Sequence, residues 1–247
     1  MKEEKRIALV TGGAGGIGEA ICIELAKEGW SILLHYHTSQ VKAEKIQKTI
    51  KTLGRECTIV QANLTQESEI DAMIEQIKEK YQRIDLLVNN AALCIDTLFQ
   101  DKTKENFQKV LDINLLAPFL LSKKIGQMMY ENQNGNIINI SSTNGIDKYF
   151  PMSIDYDASK AALLSLTHNL SMQFAPYVRV NAIAPGWVAT ENEIKDIDSE
   201  YQRLEEEKIF LGRFAKPNEI ANVVVFLASD KASYINNSII RVDGGTY

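Results

Sequence analysis

Seven short runs rich in Val, Ile and Leu alternate with longer amphipathic stretches, and nothing else in this chain constrains its fold as strongly. The runs are RIALVT (6–11), SILLHY (31–36), CTIVQA (57–62), IDLLVNN (84–90), NIINIS (136–141), VRVNAI (178–183) and SIIRV (238–242). Helical spacing of apolar residues between them predicts helices near 16–28, 40–53, 66–81, 103–130, 155–175 and 217–228. Gly29 and Gly54 stand where C-terminal helix caps belong. Strands apolar at consecutive positions need cover on both faces, which suits a parallel sheet sandwiched by helices. The alternation reaches the C-terminal region without a linker, repeat or low-complexity segment, so the 247 residues read as one α/β domain. The expected architecture is a doubly wound, seven-stranded parallel sheet with helices on both faces. Residues 184–212 break the pattern, and a connection of that length is functional more often than idle. Within it, 187–212 is expected to form a substrate lid, with EIKDIDSEYQRLEEEK (193–208) as a charged helix whose default role is a solvated face.

Composition removes several classes of function. A net charge of −5 lacks the basic footprint of a general nucleic-acid binder. The opening MKEEKRIALVTGG holds too short an apolar run for a secretory signal or a membrane span, which predicts a cytoplasmic protein with no membrane partner. Cys22, Cys57 and Cys94 are scattered without CxxC spacing and read as buried thiols in a reducing compartment.

The segment VTGGAGGIGEAI (10–21) follows the first strand and opens a helix. Gly12, Gly16 and Gly18 permit a tight turn, close approach of backbone to a pyrophosphate, and tight packing of helix on strand. The helix N-terminus then offers free N–H groups and partial positive charge to phosphates. Gly12, Gly15, Gly16, Ile17 and Gly18 are therefore candidate dinucleotide contacts.

The end of the second strand is where a carboxylate holds the ribose 2′-hydroxyl of NAD. Here LLHYHTSQ puts Tyr36 at that place, followed by His37, Thr38 and Ser39. Nothing repels a 2′-phosphate and several donors are available, so NADP(H) is preferred over NAD(H). Period two puts His35 and His37 on one strand face, where they read as a metal pair, a cofactor edge or plain surface histidines. No third ligand accompanies them, and no metal is expected.

Tyr156 and Lys160 in DYDASKAALLSL stand four apart on a predicted helix, one above the other on the same face. That spacing fits an incidental surface pair as well as a phenol tuned by a cation.

Taken together, TGGAGGIG, NNAA (89–92), Asn114 in LDINLLAPF, INISS (138–142), YDASK (156–160), APG (184–186) and the C-terminal LGRFAKPNEIANVVVFLASD…IRVDGG resemble the short-chain dehydrogenases/reductases, in the expected order over nearly the whole chain. Within that family the chain is most similar to the 3-oxoacyl-[acyl-carrier-protein] reductases of fatty acid synthesis. The resemblance implies a Rossmann fold, a nicotinamide cofactor and a catalytic set of Asn114, Ser142, Tyr156 and Lys160. Tyr156 would donate a proton to a carbonyl oxygen. A free phenol titrates near pH 10, and a neighbouring ammonium lowers that value. Lys160 would supply the cation and also bond the nicotinamide ribose. Ser142, followed by Gly145 as in the family pattern, would hold the substrate oxygen; Asn114 would join the Lys160 end through water while bonding backbone. The resemblance also implies that Asn90 and Ala91 lie near the adenosine-side ribose, Asn63 and Leu64 near the adenine, and Pro185, Gly186, Val188 and Thr190 near the carboxamide.

Departures qualify the substrate. Ala92 replaces a glycine usual in the family, INNS (235–238) stands where TG is common, and Gly15 replaces a basic residue of many NADP-binding relatives. Met172 and Tyr177 stand where carrier-protein reductases tend to carry arginines, leaving Lys102, Lys104, Lys123 and Lys124 as possible docking cations for an acyl carrier protein. Alternative substrates are a free pteridine, sugar, steroid or hydroxyacyl-CoA, and an alternative class is a non-catalytic NADP(H) sensor. Enoyl reductases of the superfamily usually space Tyr and Lys by seven, so double-bond reduction is not expected. The family pattern implies a homotetramer built on the helices near 103–130 and 155–175.

Overall fold

Side chains alternate across a strand, and here both faces of the strands are apolar, so each strand feeds two cores at once. The computed structural model describes residues 5–195 and 197–246, with Asn192 as backbone only; the first four residues of the N-terminal segment, and Asp196 of the expected charged helix, lie outside the described residues. In chain order the strands are β1 (Ile7–Val10), β2 (Ser31–Tyr36), β3 (Cys57–Gln61), β4 (Leu86–Asn89), β5 (Gly135–Ile140), β6 (Val178–Pro185) and β7 (Ile239–Val242). The helices are α1 (Gly16–Lys27), α2 (Gln40–Thr52), α3 (Glu67–Lys80), α4 (Lys104–Leu111), α5 (Ala117–Glu131), α6 (Ile154–Gln173), α7 (Glu191–Lys195), α8 (Ser199–Glu206) and α9 (Pro217–Ala228).

Ala8, Val10, Ile32, Leu34, Leu86 and Val88 face one layer, where Ile21 and Leu25 of α1, Ile46 and Ile50 of α2, and Ile220 and Val224 of α9 meet them. Their neighbours Ile7, Leu9, Leu33 and Leu87 face the other, against Ile70 and Ile74 of α3, Leu121 and Ile125 of α5, and Leu170 of α6. The i, i+3/i+4 spacing on each helix supplies the stripe that covers the sheet. Each fully buried Leu or Ile contributes about 1.5–3 kcal/mol of transfer free energy, so the two layers dominate the driving force for folding.

All seven strands are parallel, in the order β3-β2-β1-β4-β5-β6-β7. The chain moves outward from β1 to β3, then returns to pair β4 with β1. The crevice at the carboxyl ends of β1 and β4 is thus the topological switch point, where ligands bind in open α/β sheets. Among the described residues no helix is long and apolar enough to cross a membrane.

Two helices differ from expectation. The single helix expected over 103–130 is α4 and α5 joined by a π-helical turn, Asp112–Leu116. Pro118, in the first turn of α5, has no N–H for the carbonyl of Asn114 four residues earlier, so the α ladder cannot run through. The N–H of Ala117 bonds the Asp112 carbonyl instead, the wider π register. The charged helix expected over 193–208 is likewise two, α7 and α8. Asp198 interrupts it, because its carboxylate accepts from the N–H groups of Glu200 and Tyr201 (both 3.0 Å) as an N-cap.

Candidate active site

The glycine turn joins β1 to α1 at the switch point. Gly12 has φ +62°, and a Cβ added at Gly18 would stand 2.1 Å from the Gly12 carbonyl oxygen, so position 18 admits only glycine. Asn90, just past β4, donates Nδ2–H to the carbonyls of Thr11 (2.9 Å) and Gly12 (3.2 Å). In return the Thr11 hydroxyl accepts from the N–H groups of Asn90 (2.9 Å) and Ala91 (3.0 Å). Gly15 has open space where a side chain would be and provides no capping group to α1. The first N–H groups of α1 have no intrahelical partner, and with the helix dipole they form an anion site. These residues fit the diphosphate of a dinucleotide.

The remaining candidate cofactor residues converge on the same edge, with qualifications. Thr190 packs beside Gly16, and its hydroxyl accepts from the N–H of Glu193 (3.2 Å), capping α7. Gly186, after Pro185, lies where a Cβ would meet Asp243 at 2.7 Å. Leu64 and Val188 direct their side chains into the cores, which leaves their backbone to face a ligand. The Asn63 side chain accepts from the N–H and hydroxyl of Thr65. Ile17 is partly buried against the α1 layer. Tyr36 also packs into that layer, so the exposed donors at the end of β2 are His37, Thr38 and Ser39. The shared face expected of His35 and His37 does not exist: β2 ends at Tyr36, His35 is 2% exposed, and His37 is exposed beyond the strand.

Tyr156 and Lys160 lie one turn apart on α6, and the Lys160 Nζ sits 5.4 Å from the centroid of the Tyr156 ring. Lys160 is 2% exposed, and its ammonium donates to the carbonyl of Ile140, the last residue of β5 (2.8 Å). A Cβ at Gly145 would stand 2.7 Å from the Lys160 backbone, so this glycine lets the short helix Thr143–Gly145 press on α6. Ser141 points away from Ser142 and donates to the Lys160 carbonyl (2.9 Å). Ser142 donates to the Asn144 side chain (3.1 Å) and lies close enough to the Tyr156 phenol to lower its pKa. Asn114, buried in the π-helical turn, donates to the Leu93 carbonyl (2.9 Å) and the Ser159 hydroxyl (3.0 Å), and accepts from the Leu93 N–H (2.8 Å). All four expected catalytic residues therefore gather at the ends of β4 and β5.

The electrostatics correct one expectation. Removal from water pushes the Tyr156 phenol above its usual value of 10, with a further upward push from Cys94, and this outweighs the lowering by Ser142. The ammonium of Lys160 is turned to the Ile140 carbonyl and the ring face, so in the chain alone it does not make the phenol acidic. Burial also lowers the Lys160 pKa to about 8, so its charge is not permanent at alkaline pH.

Sequence reasoning missed several neighbours. Cys22 and Cys57 are buried, but Cys94 is exposed, bonded to Asp96 (3.1 Å), and close enough to act electrostatically on both Tyr156 and Lys160. Its place four residues beyond Asn90, at the carboxyl end of β4, was the available signal. Ser159 was hidden because an alanine-like helix position gives no hint of a partner in Asn114. Of the four possible docking lysines, Lys102 is withdrawn: it is buried, paired with Asp155 (3.0 Å) and bonded to the Ile95 carbonyl. Lys124 is neutralised by Asp71 and Glu67.

Comparison with known proteins finds relatives over nearly the whole chain. A family model described as Enoyl-(Acyl carrier protein) reductase matches residues 12–247. A 3-oxoacyl-[acyl-carrier-protein] reductase FabG of Staphylococcus epidermidis is 37% identical over 97% of this chain and 98% of its own. The FabG of Thermotoga maritima is 34% identical over 99% of both chains. Among solved structures, a putative NAD(P)-dependent gluconate 5-dehydrogenase from Beutenbergia cavernae, with bound NADP at low occupancy, superposes with TM-score 0.91 at 33% identity, covering 97% of this chain and 96% of its own. The acetoin dehydrogenase YohF of Salmonella typhimurium gives TM-score 0.89 at 29% identity, covering 98% and 96%.

Proposed function

Because this chain belongs to the short-chain dehydrogenase/reductase family, NAD(P)-binding oxidoreductases of CH–OH and C=O groups, we propose that it reduces the 3-oxo group of an acyl thioester with NADPH. The observation that carries this reading is the pairing of Tyr156 with buried Lys160 beside Ser142, at the carboxyl end of β5. Four-residue spacing of Tyr and Lys favours carbonyl over double-bond reduction, and full-length similarity to 3-oxoacyl-[acyl-carrier-protein] reductases favours a thioester in fatty acid synthesis. The bound nicotinamide would supply the hydride; the protein's part is to orient the carbonyl and stabilise charge.

Ser142 donates a hydrogen bond to the substrate oxygen and holds it against Tyr156. A phenol kept protonated at neutral pH is in the form a donor needs. As charge grows on the carbonyl oxygen, Tyr156 releases its proton to it. The nearby Lys160 cation then stabilises the tyrosinate that remains, an interaction stronger in the transition state than before it. Asn114 holds the Leu93 segment and Ser159, and bridges to the Lys160 end through water, so that Tyr156 is reprotonated from solvent. His37 and Thr38, without a carboxylate beside them, favour the 2′-phosphate of NADP(H). Residues 187–212 close over the substrate. Exposed Leu116 just before α5, Phe119 on α5, and Ile154 and Met172 on α6 support a homotetramer packed through these helices.

NADPH oxidation with a short 3-oxoacyl thioester, repeated with NADH, tests the reading; turnover faster with NADPH is expected, and no turnover with any 3-oxoacyl thioester refutes it. A second reading, reduction of a free small molecule, draws support from the loss of Lys102 and Lys124 as free docking cations. The carrier-borne thioester turning over no faster than its coenzyme A counterpart would favour it.

A further inference from the structure

His35 is a buried imidazole that the proposed reaction leaves without a task. Both ring nitrogens are engaged. The N–H of Gly12 donates to Nδ1 (3.1 Å), and Nε2 lies 3.0 Å from the carbonyl oxygen of Ala62. An amide N–H only donates and a carbonyl only accepts, so one tautomer satisfies both partners, with the proton on Nε2 and the lone pair on Nδ1. Burial lowers the imidazole pKa to about 4, so this uncharged form is the one present at neutral pH.

The contacts of Gly12 show what the ring controls. Its N–H is held by His35 and its carbonyl by the Asn90 amide. Gly13 adds a bond from its N–H to the His35 carbonyl (2.9 Å), so residue 35 grips two successive peptides of the turn. Gly18 packs directly on the Gly12 carbonyl, so the conformation of Gly12, flanked by the two peptides that residue 35 holds, sets where the N-terminus of α1 sits. At its other end the ring holds Ala62, which leads into Asn63 and Leu64 beyond β3.

We infer that His35 is a positioning residue of the dinucleotide site, which fixes the Gly12 peptide through Nδ1 and ties the diphosphate turn to the loop after β3 through Nε2–H. The inference rests on the reading that this turn takes the diphosphate of NAD(P). A turn already shaped before binding loses less conformational freedom when the ligand arrives. The consequence belongs to affinity for the nucleotide and not to the chemical step.

The test is titration of purified protein with NADP+, with no carbonyl substrate present, in wild type and three variants. His35→Leu fills similar volume but leaves the Gly12 N–H without an acceptor, and its dissociation constant rises on the order of 10-fold. His35→Asn puts an amide oxygen where Nδ1 stood, restoring the Gly12 acceptor but not the tie to Ala62, and binds more tightly than His35→Leu. His35→Gln carries its amide one methylene farther, past Gly12, and binds like His35→Leu; it replaces that variant in the comparison if leucine prevents folding. Turnover at saturating cofactor is the same in every variant that folds. The inference is overturned if Leu or Gln binds as tightly as wild type, or if Asn binds as weakly as they do. A wild-type protein that binds neither NADP+ nor NAD+ refutes the dinucleotide reading itself, and this inference with it.

Discussion

Lys102→Ala removes one partner of an ion pair that has almost no access to water: the side chains of Lys102 and Asp155 are 5% and 0% exposed. Asp155 would keep only the N–H of Tyr156 (3.0 Å), since its Oδ2 already lacks a hydrogen-bond partner. A buried carboxylate stripped of its cation costs about 3–5 kcal/mol. For a chain of this size each kcal/mol lowers Tm by about 2–4 °C, so the variant melts about 6–20 °C below wild type. The damage falls on the first turn of α6, immediately before Tyr156. The double variant Lys102→Met/Asp155→Leu removes both charges and recovers most of the loss, because an apolar pair carries no desolvation cost. Urea and thermal unfolding of wild type, Lys102→Met, Asp155→Leu and the double variant measure the coupling. A Lys102→Ala protein as stable as wild type, or a double variant no better than the single, would refute this reasoning.

Three further outcomes follow from the site. Gly18→Ala forces a methyl group to 2.1 Å from the Gly12 oxygen; dinucleotide titration is expected to show binding lost, and unfolding to show a destabilisation of about 1–3 kcal/mol. His35 has its pKa lowered from 6.5 to about 4, so the folded state binds fewer protons than the unfolded one between those values. Its contribution is complete above pH 6.5 and is lost as pH falls towards 4, at about 1.4 kcal/mol per pH unit and about 3 kcal/mol in total; unfolding between pH 7 and 4.5 is expected to show this slope in wild type and its reduction in His35→Asn. Lys160, lowered to about 8, loses its cation as pH rises through that value, so kcat/KM for carbonyl reduction is expected to fall above pH 8.

The order of strands and helices was legible because short continuous apolar runs and longer stretches of period 3.6 are written directly in the positions of Val, Ile and Leu. The glycine turn was legible for a steric reason, since residue 18 can be nothing else against the Gly12 oxygen. Local breaks were harder. The helix over 103–130 carries a continuous apolar period, and the effect of Pro118 on the carbonyl of Asn114 emerges only when ladder bonds are counted one by one. Pairings between distant segments left no local trace at all: Lys102 with Asp155, His35 with Gly12 and Ala62, and Cys94 near Tyr156. The direction of the Tyr156 shift was misjudged for the same reason. Four-residue spacing reveals that a lysine is near, but not that its ammonium turns to the Ile140 carbonyl or that partial burial raises the phenol's pKa.

Removing the Tyr156 hydroxyl tests the central claim most directly. Tyr156→Phe, assayed by NADPH oxidation with a 3-oxoacyl thioester alongside titration with NADP+, is expected to bind the nucleotide as wild type does. Its kcat should fall by about 10²- to 10⁴-fold, the contribution of a positioned general acid. Turnover at the wild-type rate with nucleotide binding intact would contradict the assignment of Tyr156 as proton donor.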